Sequence, residues 1–295
     1  METTEKPVIN QPPQKSDSFP ILLVHLGLIF FGTLIMLLLV QSTMQFIILQ
    51  DRLPSDELAG KSFDELLELQ KPLTVELTED LKNDPQKVNS RYLEIVFNER
   101  PGILFWSSLT WVIAFLVPGY YFLGRRMQIP ISKLEDKFGI NIVGFGVIGG
   151  ITVFMIVMTA GLFLHLIDYK PKNNEFQLLL FQNLKDNTTL LAWSVYSVGL
   201  VTGLVEEWFF RGMLLRHYIS KGLAKEGLLI TSLLFGAMHF SFDASPIIPV
   251  LLSGVGYYFG SLYLRSGNIW VPIIAHATYN SIGLVLAYFV GDKIT

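Results

Sequence analysis

Two adjacent glutamates and an arginine interrupt an apolar stretch in the second half of the chain. Glu206, Glu207 and Arg211 lie within residues 200–216, which are otherwise largely apolar. A charged group at bilayer depth costs about 2.5–3.5 kcal/mol on insertion scales, so such residues usually face a protein-lined cavity and mark function. On a helix, Glu207 and Arg211 share a face, whereas Glu206 points about 100° away. We therefore expect Glu207 and Arg211 to pair as structural support, which leaves Glu206 free for chemistry.

Two later apolar segments add two imidazoles and an amide at helical spacing. His239 follows Phe235 by four residues, and Asn280 follows His276 by four. If the three segments converge, they supply the groups needed to hydrolyse a carbonyl. A carboxylate takes a proton from water, a histidine holds that water, and neutral donors stabilise the developing oxyanion. Each motif also has a purely structural interpretation, as a buried ion-pair network or as hydrogen bonds between helices.

The same side chains suit a catalytic zinc ion as an alternative. Glu206, His239 and His276 would be the three protein ligands, with water in the fourth position. The His-Glu-x-x-His motif of many zinc proteases is absent, however. The amide of Asn280 is a poor zinc ligand and a good oxyanion donor. We therefore favour a site without a cofactor and keep zinc as the alternative.

Composition predicts an all-α membrane protein. Of the 295 residues, 51% are hydrophobic and only 16% are charged, against about 25% charged residues in ordinary soluble domains. The net charge is −3, and no basic cluster is interleaved with aromatic residues, so we expect no nucleic-acid partner. Cysteine is absent, which excludes disulfides, thiolate metal sites and a cysteine nucleophile.

Apolar runs predict a polytopic bundle of about seven to eight transmembrane spans. The fifth run is short for an independent span, which needs about 20 residues, so it must pack against its neighbours. A disordered tail is predicted at residues 1–19, and a polar insertion outside the membrane at residues 51–101. The seven runs cover about residues 20–49, 103–123, 140–167, 190–218, 228–240, 247–264 and 269–289.

Arginines predict the orientation in the bilayer. Arg125 and Arg126 follow the second apolar run, and Arg265 follows the sixth. Because arginines next to a span favour the cytoplasm, the N-terminus is predicted to be cytoplasmic and the insertion to lie outside. The two halves show no inverted repeat, which argues against a proton-coupled transporter.

The three motifs together resemble the CPBP family, the Abi group of CAAX and bacteriocin-processing proteases. The family patterns Glu-Glu-x-x-x-Arg, Phe-x-x-x-His and His-x-x-x-Asn occur here in that order. They end at Arg211, His239 and Asn280. The resemblance covers residues 190–290 as a catalytic core, preceded by an N-terminal transmembrane region at residues 20–189.

The resemblance implies a CAAX-type intramembrane endopeptidase, in a group whose members are often called metalloproteases. It implies Glu206 as the general base, His239 as the residue that positions water, and His276 and Asn280 as the oxyanion site. The expected substrate is a membrane-associated protein or peptide, reached from the cytoplasmic leaflet. The expected location is the lipid bilayer of a bacterial plasma (inner) membrane, with no oligomeric state indicated. The alternative is a non-catalytic bacteriocin self-immunity protein or membrane scaffold.

Overall fold

The computed structural model is helical throughout, as predicted. It describes residues 18–53, 60–132 and 138–291. The predicted tail at residues 1–19 and the start of the insertion therefore fall largely outside the described residues. Ten helices are found in the described ranges. They are α1 (Phe19–Arg52), α2 (Phe63–Asn83), α3 (Pro85–Glu94), α4 (Ile103–Arg126), α5 (Ile140–Leu166), α6 (Glu175–Leu184), α7 (Thr188–Ser220), α8 (Ala224–Ala237), α9 (Ile247–Ser266) and α10 (Trp270–Val290).

Six of these helices are long and apolar enough to cross a membrane, and the chain is an integral membrane protein. They are α1, α4, α5, α7, α9 and α10. The fifth predicted run corresponds to α8, which has only 14 residues and packs along α9. It is shorter than a span of about 20 residues, as expected for a segment that depends on its neighbours. The predicted bundle is thus confirmed, with six full-length spans among the described residues.

The polar insertion is helical and is fastened to the end of α1. The guanidinium of Arg91 on α3 donates to both carboxylate oxygens of Asp51, at 3.0 and 2.9 Å. Beneath this pair, Val88 and Ile95 pack against Ile48 of α1 in a small apolar cluster. The apolar side chains of the insertion therefore pack on the bundle, although its overall composition is polar.

Hydrogen bonds identify the segments that meet at one end of the bundle, which we call the insertion face. Asn89 of the insertion donates to Glu175 at 2.9 Å. The backbone N–H of Glu175 donates to Asp243 at 2.8 Å, and that of Lys172 donates to Ser245 at 2.7 Å. The insertion face therefore combines residues 60–102, 167–187 and 239–246.

The opposite end carries the arginines and is called the arginine face. The segment at residues 127–132 lies here, across the ends of α7 and α9. Its Ser132 contacts the hydroxyl of Tyr263, and its Pro130 accepts a hydrogen bond from Arg216 at 3.2 Å. Exposed Arg125, Arg126 and Arg265 lie at the same end.

Glycines bring α5 into close contact with α10. A Cβ atom on Gly150 would lie 2.5 Å from the carbonyl oxygen of Ala275, and one on Gly146 would lie 2.6 Å from Ile274. Only glycine allows backbones this close, as is common where membrane helices pack. This packing fixes α10, which carries His276 and Asn280.

Candidate active site

Three helices bring the predicted residues together. The glutamates and Arg211 lie on α7, where residues Trp208–Leu215 form a π-helical segment. Such segments are rare and often occur at functional sites. His239 follows the end of α8, and α10 contributes His276 and Asn280.

Glu207 is the centre of the buried part of the site. Its Oε1 atom accepts hydrogen bonds from Arg211 Nη1 and from His276 Nδ1, both at 2.9 Å. Arg211 also donates to the carbonyl oxygen of Gly256 on α9. Glu207 and Arg211 are 0% and 1% exposed. The predicted pairing of Glu207 with Arg211 is confirmed, and it serves His276 as well.

Aromatic rings surround the buried guanidinium. The Arg211 Cζ atom lies 4.8 Å from the ring centre of Phe235, 5.8 Å from that of Phe210 and 5.9 Å from that of Phe259. A cation over an aromatic face is stabilised by the ring quadrupole, and the effect grows when both are shielded from water. These contacts offset part of the desolvation of Arg211.

Glu206 and His239 face each other without a direct hydrogen bond. The distance between Glu206 Oε2 and His239 Nε2 is 4.0 Å. His239 Nδ1 lies 2.8 Å from the carbonyl oxygen of Phe235, so Nδ1 carries the hydrogen and Nε2 of the neutral ring is an acceptor. Glu206 Oε2 is buried and has no hydrogen-bond partner among the described residues. Two acceptors therefore point at one small space.

The tautomer of His276 follows from its bond to Glu207. An ionised carboxylate can only accept, so Nδ1 of His276 is the donor. Nε2 then has a lone pair in the neutral ring and can donate only in the imidazolium form. The ring of Phe259 stacks on His276 at a centroid distance of 4.9 Å and fixes its orientation.

Asn280 is anchored to the backbone of α7. Its Nδ2 atom donates to the carbonyl oxygen of Val198 at 2.8 Å. Val198 lies in the π-helical segment Val195–Val201. A primary amide has two N–H groups, so the second hydrogen of Asn280 is left for another acceptor.

Zinc bound by Glu206, His239 and His276 stays the alternative prediction. In the described ranges no group of three or more His, Asp or Glu side chains is placed to hold a metal ion. The Nδ1 atom of His276 is bonded to Glu207, so Nε2 is the ring nitrogen that a metal ion could reach. We therefore derive no step through a metal.

Sequence reasoning missed the contributions of α9 and of the backbone. Phe259 and the carbonyl group of Gly256 on α9 contact His276 and Arg211, yet α9 has no polar motif. The sequence signal that could have indicated the contribution of α9 was a pair of small residues one turn apart, Gly256 and Gly260, since both lie against Arg211. Phe235 was recognised only as part of a motif, and the structure shows that its carbonyl orients His239.

The comparisons with known proteins match the same part of the chain. Residues 188–282 match the family model described as "Type II CAAX prenyl endopeptidase Rce1-like". A 77-residue segment is 31% identical to the "Uncharacterized protein YpbD" of Bacillus subtilis (strain 168). That match covers 26% of this chain and 36% of the relative, so the chain spans about a third of that protein's length. No solved structure gives a significant match.

The family match agrees with the resemblance drawn from the three motifs. It begins with α7 and ends just after Asn280, so it contains every predicted site residue. Residues 188–282 are therefore similar to the Rce1-like family of CAAX-type proteases.

Proposed function

We propose that this protein is an intramembrane endopeptidase in which Glu206 activates a water molecule. The observation that carries the proposal is the 4.0 Å gap between two hydrogen-bond acceptors, Glu206 Oε2 and His239 Nε2. A water about 2.8 Å from both would subtend an angle of roughly 90°, close to the angle between its own hydrogens. Such a water donates one hydrogen to each acceptor and turns a lone pair toward the substrate.

The reaction then needs only these side chains. Glu206 takes the proton as the water oxygen attacks the scissile carbonyl carbon, which forms a tetrahedral intermediate with a negatively charged oxygen. The free N–H of Asn280 donates to that oxygen, and His276 Nε2 does so when the ring is protonated. Collapse of the intermediate breaks the C–N bond, and Glu206 returns its proton to the leaving amine.

Glu207 and Arg211 act as positioning residues in this scheme. Glu207 holds the Nδ1 atom of His276, so the opposite ring nitrogen is fixed toward the site. Arg211 shares the same carboxylate oxygen and ties it to α9 through Gly256. The substrate class that fits a site within a helical bundle is a peptide segment of a membrane-associated protein.

The proposal is tested by removing the base without changing its shape. Glu206→Gln keeps the size of the side chain but cannot accept the proton of water. We expect peptide cleavage to fall by about 10²–10⁴-fold, the usual range for loss of a general base. Membrane fractions from cells carrying either form are compared by terminal proteomics, and cleavage of the substrates found is then measured with purified protein.

Glu226→Gln is the matched control, because Glu226 is an exposed glutamate in the first turn of α8. It should leave cleavage unchanged. Full proteolysis by Glu206→Gln would refute the assigned role. Complementation of a deletion phenotype by the same variant would instead favour a non-catalytic immunity or scaffold protein.

A further inference from the structure

A groove runs between α5 and α9 on the outer surface of the bundle, away from the candidate active site. Phe145 and Arg265 line it at the arginine face, and Ala160 and Val250 line it at the insertion face. Its volume is about 590 Å³, within the roughly 300–1,000 Å³ of ligand-binding pockets. Val250 is 64% exposed and Ile156 is 52% exposed, so the groove opens outward.

The length and the apolar lining of the groove fit a lipid chain. Both α5 and α9 are membrane-spanning helices, so the surface between them lies against hydrocarbon. From Val250 to Arg265, α9 rises by about 22 Å at 1.5 Å per residue. One leaflet of hydrocarbon is about 15 Å thick, half of the membrane core. An acyl chain that starts at the arginine face can therefore lie in the groove over its whole length.

Arg265 supplies a positive charge at the arginine end of the groove. It is exposed and lies in the last turn of α9. Arg52, Arg91 and Arg211 each form an ion pair with a carboxylate, whereas no described carboxylate pairs with Arg265. A guanidinium binds phosphate through charge-assisted hydrogen bonds, which are often bidentate. The groove therefore combines a phosphate-binding group with an apolar channel.

We propose that the groove between α5 and α9 binds an anionic phospholipid, with the lipid phosphate on Arg265 and one acyl chain along Val153 and Val255. The net negative charge distinguishes this lipid from a zwitterionic one, in which a headgroup cation competes with the arginine for the phosphate. Anionic lipids are also attracted to the cytoplasmic side, where the arginine face is predicted to lie. The proposal does not depend on the proposed proteolytic function.

The bound chain lies next to residues that support the candidate active site. Val153, Val255 and Leu262 line the groove and pack in one cluster with Phe259. The ring of Phe259 stacks on His276 at a centroid distance of 4.9 Å. A ligand that binds only the folded state stabilises it, so the lipid should raise the Tm of the protein.

Native mass spectrometry of the full chain in detergent tests the recognition of the headgroup. Phosphatidylglycerol and phosphatidylcholine with identical acyl chains are compared, and glycerol phosphate serves as the anion without a chain. We expect phosphatidylglycerol to bind at least about tenfold more tightly than phosphatidylcholine, because a hydrogen bond to a charged group is gained. Equal binding of the two lipids, or displacement of phosphatidylglycerol by an equal concentration of glycerol phosphate, would overturn the proposal.

Two arginine variants test whether Arg265 is the phosphate ligand. Arg265→Gln should lower the affinity for phosphatidylglycerol by at least about tenfold. Arg125→Gln is the matched control, because Arg125 is an exposed arginine of the same face that does not line the groove. Equal losses of affinity in the two variants would mean that the arginine face attracts anionic lipid only through its overall charge, which contradicts a site at Arg265.

Two tryptophan variants test the position of the acyl chain. Val157→Trp places an indole in the groove, whereas Met155→Trp places it on an exposed face of α5 outside the groove. Phosphatidylglycerol should raise the Tm of the unmodified protein and of Met155→Trp by at least about 3 °C, and that of Val157→Trp by much less. The Tm without added lipid shows whether each variant is folded, and Arg265→Gln tests the same site without adding bulk. An undiminished rise in Tm for Val157→Trp would exclude the groove as the binding site.

Discussion

Substitution by glutamine should lower the stability of the fold at Glu207 but leave it nearly unchanged at the adjacent Glu206. In Glu207→Gln the buried guanidinium of Arg211 loses its charged partner, and His276 loses the carboxylate that accepts its Nδ1 hydrogen. Removing one member of a buried ion pair costs about 3–5 kcal/mol, because the remaining charge is uncompensated. In Glu206→Gln no hydrogen bond to a described residue is lost, so the free energy of unfolding should change by less than about 1 kcal/mol.

Thermal unfolding in detergent, followed by tryptophan fluorescence, measures the difference. We expect Glu207→Gln to lower Tm by at least about 5 °C and Glu206→Gln to leave Tm nearly unchanged. Glu206→Gln should therefore be a normally folded protein without cleavage activity. The double variant Glu207→Gln/Arg211→Met removes both charges and should recover part of the lost stability. Equal destabilisation by the two single glutamine variants would refute the division of roles between the glutamates.

Three further changes test the packing, the loop and the cofactor. A Cβ on Gly236 would lie 2.0 Å from a side-chain oxygen of α9, so Gly236→Ala should displace His239 and lower kcat severalfold. Gly254→Ala is the control, because a Cβ there would meet no atom within 4 Å, and it should leave kcat unchanged. Hydrogen bonds from the Ser241 hydroxyl and the Glu175 backbone hold the pKa of Asp243 below its usual range. The loop at residues 239–246 is therefore stabilised above pH of about 4 and loosens as pH falls through the lowered pKa; hydrogen exchange should show this acid dependence, and Asp243→Asn should abolish it. Exhaustive chelation should leave cleavage unchanged, whereas loss of activity that zinc restores would contradict a site without metal.

Much of the fold follows from the sequence because a bilayer imposes length and polarity on each span. The bounds expected for the apolar runs agree with the helices to within a few residues, even for the short α8. The pairing of Glu207 with Arg211 also follows from local sequence, since residues four apart on a helix are neighbours. Both features depend on one segment at a time, which is why the sequence alone could predict them.

The contacts between helices could not be predicted in this way. The hydrogen bond between the Nδ1 atom of His276 and Glu207, 69 residues away, was not predicted. Asn280 is anchored to a carbonyl group that a π-helical segment of α7 leaves accessible. Such contacts depend on the rotation of α10 against α7. Gly199 and Gly203 of α7 lie against Ser281 and Ala277 of α10 and allow this rotation, through contacts that no polar pattern in the sequence indicates.

In the proposed mechanism, the sharing of one carboxylate oxygen gives the two glutamates separate tasks. If Glu206 were the only carboxylate, Arg211 would be the strongest donor within reach and would occupy the atom that must accept the proton of water. Glu207 takes up Arg211 and His276 on a single oxygen, both at 2.9 Å, and is fully buried. Glu206 is thereby left with an unpaired oxygen facing His239. A general base next to a buried arginine keeps its lone pair only if a second carboxylate binds the arginine. Adjacent positions on α7 supply both carboxylates from one helix.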